Sequence, residues 1–585
     1  MLNKECEDMR KEETSFENLL KTRTYIKDPV HKLIPINFVE YKILQHPLML
    51  RLHGIKQLGF TYLVYPQAKH SRFEHSLGAM HVAGMIWTSF MNNSPGIISE
   101  LFPTSSSRKD QSAFYLATRI SALLHDVGHL PYSHVTESAL ETAYENGELP
   151  EEMNEIFEKA EKRKLKLHEY YGCIFSEKLL KDILTGFKKE EFPKQTIKML
   201  SEAFKSVKAV LCRDDDTIEG RLFKKEAHNI MKQIISGEII DADKIDYLVR
   251  DAYNTGATFG AIDIERLISG LMLYDEGGKV KISIPTKIIS NLEDLFYARY
   301  MMYKWVYLHH KVISLELSYI NALQTIGRNW SKNKKKILKV FGHLPNNFWE
   351  LFHPEYIYKS TTKFCLRIDD SFIDIILRYS LSANANSIAE DVNALLNRKA
   401  KFNSIIKREE DLLVELFEVL SSENEKRIKP IDVLEKTGEL LQSSSVEILD
   451  VVKKTWPEGF EKLNEECGKV KNSSYDTLKC CLEKILGEKI NKKLKKDIEL
   501  TLYFSQRISP KSLGGLSLMS DGKALPIEHV SSIISQINRA GQHPMIFLYS
   551  KEKIGKSEES SIRRILAEAL IELYLSLRKN GSKPS

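Results

Sequence analysis

Long stretches in which apolar residues return at helical spacing, with little glycine or proline to break them, constrain this chain more than any other feature. Residues 73–90 carry that spacing and 114–124 repeat it. Further helical patterns cover 230–252, 288–325 and 410–420, whereas strand-like stretches are confined to 60–65, 279–284 and 545–549. No unit recurs at a fixed period. The pattern predicts a mostly α protein: a helical core with a few short strands, followed by a helical C-terminal region. Composition changes after about residue 330. A basic run at 332–339 and a Lys/Glu-rich stretch at 482–496 read as solvated helix faces. Segment 512–525, with Gly514-Gly515, reads as a loop, and 579–585 as a disordered tail. The expected organisation is an N-terminal extension over 1–30, a core over 31–330, and a C-terminal oligomerisation or regulatory region over 331–585.

The balance of 85 basic and 79 acidic residues leaves a net charge of +6, too little to make nucleic acid the main partner. A basic patch would have to be local, for instance lining a polyphosphate pocket. No run of 18 apolar residues is present, which argues against a membrane span. The charged first 23 residues lack the apolar segment of a signal peptide. A cytoplasmic protein is expected. Its cysteines (Cys6, Cys173, Cys212, Cys365, Cys467, Cys480 and Cys481) have neither zinc spacing nor a disulfide framework. They are expected to be free thiols.

Three segments carry chemistry. His125-Asp126-Val127-Gly128-His129 follows an apolar helix and places two imidazoles four residues apart on one helix face, with a carboxylate beside them. Imidazole and carboxylate together suit a divalent cation that polarises phosphate. Gly128 permits close approach, and Pro131-Tyr132-Ser133-His134 adds another imidazole. Upstream, His70-Ser71-Arg72-Phe73-Glu74-His75 opens a helix, with Arg72 about one turn from His75. Downstream, Asp243, Tyr247 and Asp251 recur every four residues, so one helix face presents a carboxylate, a phenol and a second carboxylate. His75, His125, Asp126 and Asp243 are the expected metal ligands.

The order H…HD…D is that of the HD superfamily of metal-dependent phosphohydrolases. The longer strings Lys56-Gln57-Leu58-Gly59, 70–75, 125–134 and 241–251 resemble the deoxynucleoside triphosphate triphosphohydrolases, including the mammalian sterile-alpha-motif type and the prokaryotic dGTPase-like proteins. The resemblance is strongest over about 25–325. It implies an HD-domain helical core that hydrolyses a dNTP to deoxynucleoside and inorganic triphosphate, for pool control or antiviral depletion. It further implies a homo-oligomer. Carried over by position, it makes His129 the catalytic imidazole, with His134 and His168 lining the site. Arg72, Lys244 and Arg299 would hold phosphates. Gln57 and Asp251 would bind the sugar 3′-hydroxyl, Tyr247 would contact phosphates or sugar, and Leu58 and Tyr307 would crowd C2′. A triphosphate needs such cationic side chains around its metal, and an imidazole titrates near neutral pH.

Two departures stand out. Thr24, Gln45 and His53 fall where the mammalian enzymes carry a charged guanine-nucleotide activator triad, so any nucleotide activator is expected at a different site. Leu308 replaces a glutamine, which alters the base contacts. An HD phosphodiesterase acting on oligonucleotides and a nucleotide-sensing HD regulator are the alternative functions. The metal is left open among Mn, Mg, Fe and Zn.

Overall fold

The computed structural model describes residues 15–102, 107–190, 192–213, 223–331, 334, 344–383, 389–398, 401–422, 425, 427–458, 460–467, 474–506, 508, 513, 516–520 and 523–580. It is mostly α, as the periodicity predicts. The helices that build or support the site are α1 (Arg72–Asn93), α2 (Ser107–Leu124), α3 (His134–Glu145), α4 (Leu167–Lys189), α5 (Lys194–Leu211), α6 (Lys225–Ser236), α7 (Ala242–Thr255), α8 (Ile289–Met302) and α9 (His310–Arg328). Helix α1 packs against both α2 and α7, which brings the three chemical segments together. Its start is set by a capping box between Ser71 and Glu74. Phe90, Ile86 and Met80 are fully buried in the resulting core, each worth about 1.5–3 kcal/mol relative to exposure.

One hydrophobic cluster runs from Phe16 to Leu395 and takes in Leu513 to Ile534. A second spans Ile405 to Leu573, and a small third group, which includes Leu308, Phe402 and Tyr549, forms a separate set. Among the described residues nine short strands make three sheets. The hairpin β1 (Thr22–Asp28)–β2 (Lys32–Asn37) is antiparallel. Strands β3 (Met272–Glu276), β4 (Lys279–Pro285), β7 (Ser517–Ser520) and β8 (Lys523–Pro526) form the second sheet. Strands β5 (Asn403–Ile406), β9 (Ile546–Ser550) and β6 (Leu500–Phe504) form the third in that order.

Several expectations are corrected. Residues 60–65 are not a strand: Gly59 (φ +47°) turns the chain into a 3₁₀ helix, Gly59–Leu63, with Thr61 N–H donating to the Leu58 carbonyl. The pattern over 230–252 is two helices, because the chain leaves α6 at Gly237 and Asp241 caps α7 by accepting from Lys244 N–H. The pattern over 288–325 breaks after a π-helical turn, Tyr303–Tyr307, and His309 caps α9. Periodicity sees the shared apolar face but not these caps. Segment 512–525 contains β7 and part of β8, because pairing of Ser517 with Ser283 in β4 adds it to a sheet. Helix Glu409–Ser422 and strands β4 and β9 match expectation. In helix Ser474–Leu494 the Lys/Glu residues flank a buried face that includes Leu482, Leu486 and Ile490. Most of 332–339, and 581–585, lie outside the described residues.

The cysteine expectation is also overturned. Cys173–Cys212 and Cys467–Cys480 are disulfides, while Cys365 and Cys481 are free and Cys6 lies outside the described residues. Spacing of 39 residues gives no sequence signal, but packing of α4 on α5 sets the Cys173 and Cys212 Cα atoms 5.1 Å apart, within bridging range. No described helix is long and apolar enough to cross a membrane.

Candidate metal centre

Helix α2 ends at Leu124, so His125 to Gly128 form a turn and not the next helical turn expected from the four-residue spacing. The turn is closed by His129 N–H donating to the Asp126 carbonyl. It lies directly against α4: a Cβ on Gly128 would land on the His168 carbonyl and the Gly172 amide. Only glycine allows that approach.

The turn delivers His125 and Asp126 to the ends of α1 and α7. His75 Nε2 lies 3.0 Å from Asp243 Oδ1 and 3.3 Å from His125 Nε2. His125 Nε2 is 3.3 Å from Asp126 Oδ1 and 3.5 Å from Asp243 Oδ1, and His75 Nε2 is 3.6 Å from Asp126 Oδ2. Bonds of about 2.1 Å meeting at octahedral or tetrahedral angles hold donors roughly 3.0–3.4 Å apart. The donor set therefore fits a divalent cation. The outer nitrogens agree, since His125 Nδ1 donates to the Ala122 carbonyl (2.7 Å) and His75 Nδ1 to Asp246 Oδ2 (2.8 Å), which leaves each Nε2 lone pair for a metal. Without one, the carboxylates draw protons. Burial opposes charge on His75, but hydrogen bonds to Asp243 and Asp246 push it up to about 10. Burial likewise opposes charge on Asp243, and His125 with His75 hold it well below the ordinary carboxylate range.

A second cluster adjoins the first. Glu137 on α3 accepts from His168 Nδ1 at 2.8 Å, and its Oε1 lies 3.4 Å from His129 Nδ1 and 3.5 Å from His134 Nδ1. The His129 ring stacks on His168 with centroids 4.2 Å apart, and His129 Nε2 is 3.3 Å from Asp126 Oδ1. Burial, then Arg72 and His168, push the His129 imidazole down to about 3, below the near-neutral range that the sequence alone implies. Tyr132 and Ser133 hold left-handed φ values of 56° and 57° just ahead of His134. The Tyr132 N–H donating to Asp370 (2.7 Å) secures that strained turn.

Arg72 is held on three sides: Nη1 to Asp126 Oδ2 (2.5 Å), Nε to Ser133 Oγ (2.8 Å) and Nη2 to the Gln57 carbonyl (3.3 Å). Arg299 donates through Nε to the Ile508 carbonyl and sets Nη1 3.4 Å from Tyr247 Oη. Lys244 Nζ donates to the Gly237 carbonyl and Asp241. Tyr307 Oη donates to Asp251 Oδ2 (2.6 Å), whose other oxygen meets His70 Nε2 (2.7 Å). Arg72, Lys244, Tyr247, Asp251, Arg299 and Tyr307, with Gln57 and Leu58, line one cavity of about 560 Å³, and the fully buried His75 lies against it through its contacts with Asp126 and Asp243. Every site residue expected from sequence is thus in or against one cavity.

Sequence reading missed three acidic groups. Asp246 and Glu137 stand three residues after Asp243 and His134, a spacing that would have placed them one turn away. Glu316 on α9 carried no signal; it lines the cavity, and burial pushes its carboxyl up to about 8.

Comparison with known proteins agrees with this geometry. Residues 72–248 match the HD domain family model. Over 288 residues the chain is 32% identical to an uncharacterized protein of Methanocaldococcus jannaschii, covering 49% of this chain and 46% of that one. It is 26% identical over 355 residues to YwfO of Bacillus subtilis, also uncharacterized, covering 60% and 65%. It is 27% identical over 291 residues to the deoxynucleoside triphosphate triphosphohydrolase SAMHD1 of Homo sapiens, covering 49% and 42%. Residues 72–248 thus carry an HD domain, and over about half its length the chain is similar to proteins named as deoxynucleoside triphosphate triphosphohydrolases. It spans less than two thirds of the length of each of these relatives.

Proposed function

We propose that the chain is an HD-type phosphohydrolase that cleaves deoxynucleoside triphosphates to deoxynucleoside and inorganic triphosphate. The observation that carries this reading is the cavity in which His125, Asp126 and Asp243, backed by His75, meet Arg72, Lys244 and Arg299 on one hand and Gln57, Leu58, Asp251 and Tyr307 on the other. A divalent metal held by His75, His125, Asp126 and Asp243 would supply Lewis-acid polarisation of phosphate and an activated water. Arg72 presents its fork while fixing Asp126, and Lys244 and Arg299 offset the triphosphate charge. Glu137 orients His168 by a hydrogen bond and faces His129 and His134. His129 enters as a proton acceptor, and a bound polyphosphate raises its proton affinity by adding negative charge. The direct test incubates the full chain with Mn²⁺ or Mg²⁺ and each dNTP and resolves products by ion exchange. Deoxynucleoside and triphosphate in equal amounts are expected; pyrophosphate or monophosphate would assign a different reaction.

Discrimination against ribonucleotides follows from the same wall. Leu58 and Tyr307 offer C2′ an apolar side chain and a ring whose hydroxyl is already bonded to Asp251. A 2′-hydroxyl buried there unpaired costs about 1–3 kcal/mol, roughly ten- to over a hundredfold in kcat/KM. The wild type should prefer dNTP over NTP, and Leu58→Ala or Tyr307→Ala should narrow the gap. Equal use of both sugars by the wild type would widen the substrate class to nucleoside triphosphates generally.

Activation is expected to differ from the mammalian relatives. Gln45 and His53 are exposed, His53 stacking on Phe73, and Thr24 is half-buried on β1. None supplies a charged pair for a guanine nucleotide. Turnover should therefore be independent of added GTP, and a GTP-stimulated rate that Gln45→Ala abolishes would contradict this. A cytoplasmic homo-oligomer, with any activator bound elsewhere, completes the reading.

A further inference from the structure

The hairpin turn between β1 and β2 reaches the back of the metal cluster. Asp28, at the end of β1, accepts at Oδ1 from the Val30 and His31 amides, which folds the turn and leaves Lys32 in a left-handed conformation (φ 63°). The turn points the His31 ring inward, where its side chain is 4% exposed and Nε2 lies 2.6 Å from Asp246 Oδ1. The other oxygen of Asp246 accepts from His75 Nδ1 at 2.8 Å. Arg250 spans the same carboxylate, Nε to Oδ2 and Nη2 to Oδ1, both at 2.9 Å, and its Nη1 returns to Asp28 Oδ2 at 2.8 Å. Asp246 thus receives four N–H donors, about as many as its lone pairs admit.

This arrangement is built to close tolerance. Asp246 and Arg250 press against α1 at Gly78, where a Cβ would land on Asp246 Oδ1 and Arg250 Nη2. The carboxylate has no room to rotate while that glycine, the arginine fork and the His31 ring are all in place. Its orientation sets the Nδ1 hydrogen bond of His75, and a ligating imidazole takes its direction and basicity from that bond.

We infer that His31 is a positioning residue for the metal: the N-terminal hairpin, through Asp246, aims the Nε2 lone pair of His75 into the ligand cluster. This rests on reading His75, His125, Asp126 and Asp243 as the metal site. It makes residues 22–37 part of the machinery that retains the cation.

The test measures Mn²⁺ affinity of the full chain, stripped by dialysis and titrated with Mn²⁺ alone, beside its melting temperature. His31→Ala should weaken Mn²⁺ binding by about tenfold or more, the lower end of the range for lost outer-shell partners. His31→Gln, which can return an N–H to Asp246, should recover much of that loss. Gly78→Ala, which displaces the carboxylate from the other side, should weaken binding as well. His81→Ala serves as a packing control, since that ring meets His31 edge-on at 5.4 Å with no hydrogen bond to Asp246, and it should leave affinity within about twofold. A merely structural His31 would lower the melting temperature in the alanine variant with Mn²⁺ affinity unchanged, and that result would overturn the inference. Should the wild type bind no Mn²⁺ that His125→Ala removes, the metal reading itself fails and the inference falls with it.

Discussion

His125→Ala is expected to lower turnover on the order of a thousandfold while the far-UV spectrum and melting temperature stay close to wild type. A divalent cation contributes several kcal/mol of charge stabilisation in phosphate chemistry, and each 1.36 kcal/mol is tenfold in rate. The His125 side chain makes one backbone hydrogen bond, to Ala122, and otherwise faces the cluster, and its removal still leaves Asp126 paired with Arg72 and Asp243 with His75. Asp126→Ala should match the loss of rate but not the intact stability. It takes away the carboxylate that Arg72 Nη1 meets at 2.5 Å, and breaking one side of a buried ion pair costs about 3–5 kcal/mol. Both variants should lose bound metal, because the ligands act as a unit. Near-wild-type turnover in His125→Ala, with metal content unchanged, would remove the cluster from the reaction.

The contrast between those two substitutions follows from features that differ in how far the sequence alone could reveal them. The clustered His and Asp side chains were legible because each sits in a local pattern with chemical content: the His70–His75 string opening an apolar helix, an apolar helix running into His125-Asp126, a four-residue rhythm through Asp243, Tyr247 and Asp251. What Arg72 does for Asp126 was not legible. It depends on α1 and the turn after α2 meeting at an angle that only tertiary packing fixes. The same holds for Glu137, whose carboxylate serves imidazoles from the turn after α2, from α3 and from α4.

Periodicity also misplaced the breaks that matter most. An apolar stripe continues across Gly237–Asp241 and across Tyr303–Leu308, so both stretches read as single helices. The structure stops each one where a polar group can recap the chain, at Asp241 and at His309. Those stops aim Lys244 and Tyr307 into the cavity; an unbroken helix would carry them onward along its own axis. Likewise 60–65 has the β-branched and aromatic composition of a strand, but among the described residues no strand pairs with it. Phe60 instead stacks on Tyr132 at 4.3 Å, and the chain closes into a 3₁₀ turn behind Leu58. Cysteine pairing has no local signature at all, since α4 and α5 must pack before Cys173 finds Cys212.

Turnover of His129→Asn is expected to fall by about a hundredfold or more, the usual scale for a proton-transferring side chain, with metal and nucleotide still bound. The placement of the ring supports this. It meets the cluster at Asp126 (3.3 Å) and is stacked on His168 with Nδ1 turned toward Glu137. The 3.4 Å separation from Glu137 Oε1 leaves both buried atoms without a good hydrogen bond. Such contacts tighten when a substrate completes the site. Asparagine keeps a polar group of similar reach toward Asp126 but cannot carry a proton between Glu137 and the substrate. Metal content by elemental analysis and binding of a non-hydrolysable dNTP analogue should therefore match wild type while kcat collapses. Loss of metal in parallel with activity would make His129 a ligand or a scaffold for Asp126. Unchanged kcat would move the proton-transfer role to His134 or His168, the other two imidazoles gathered around Glu137.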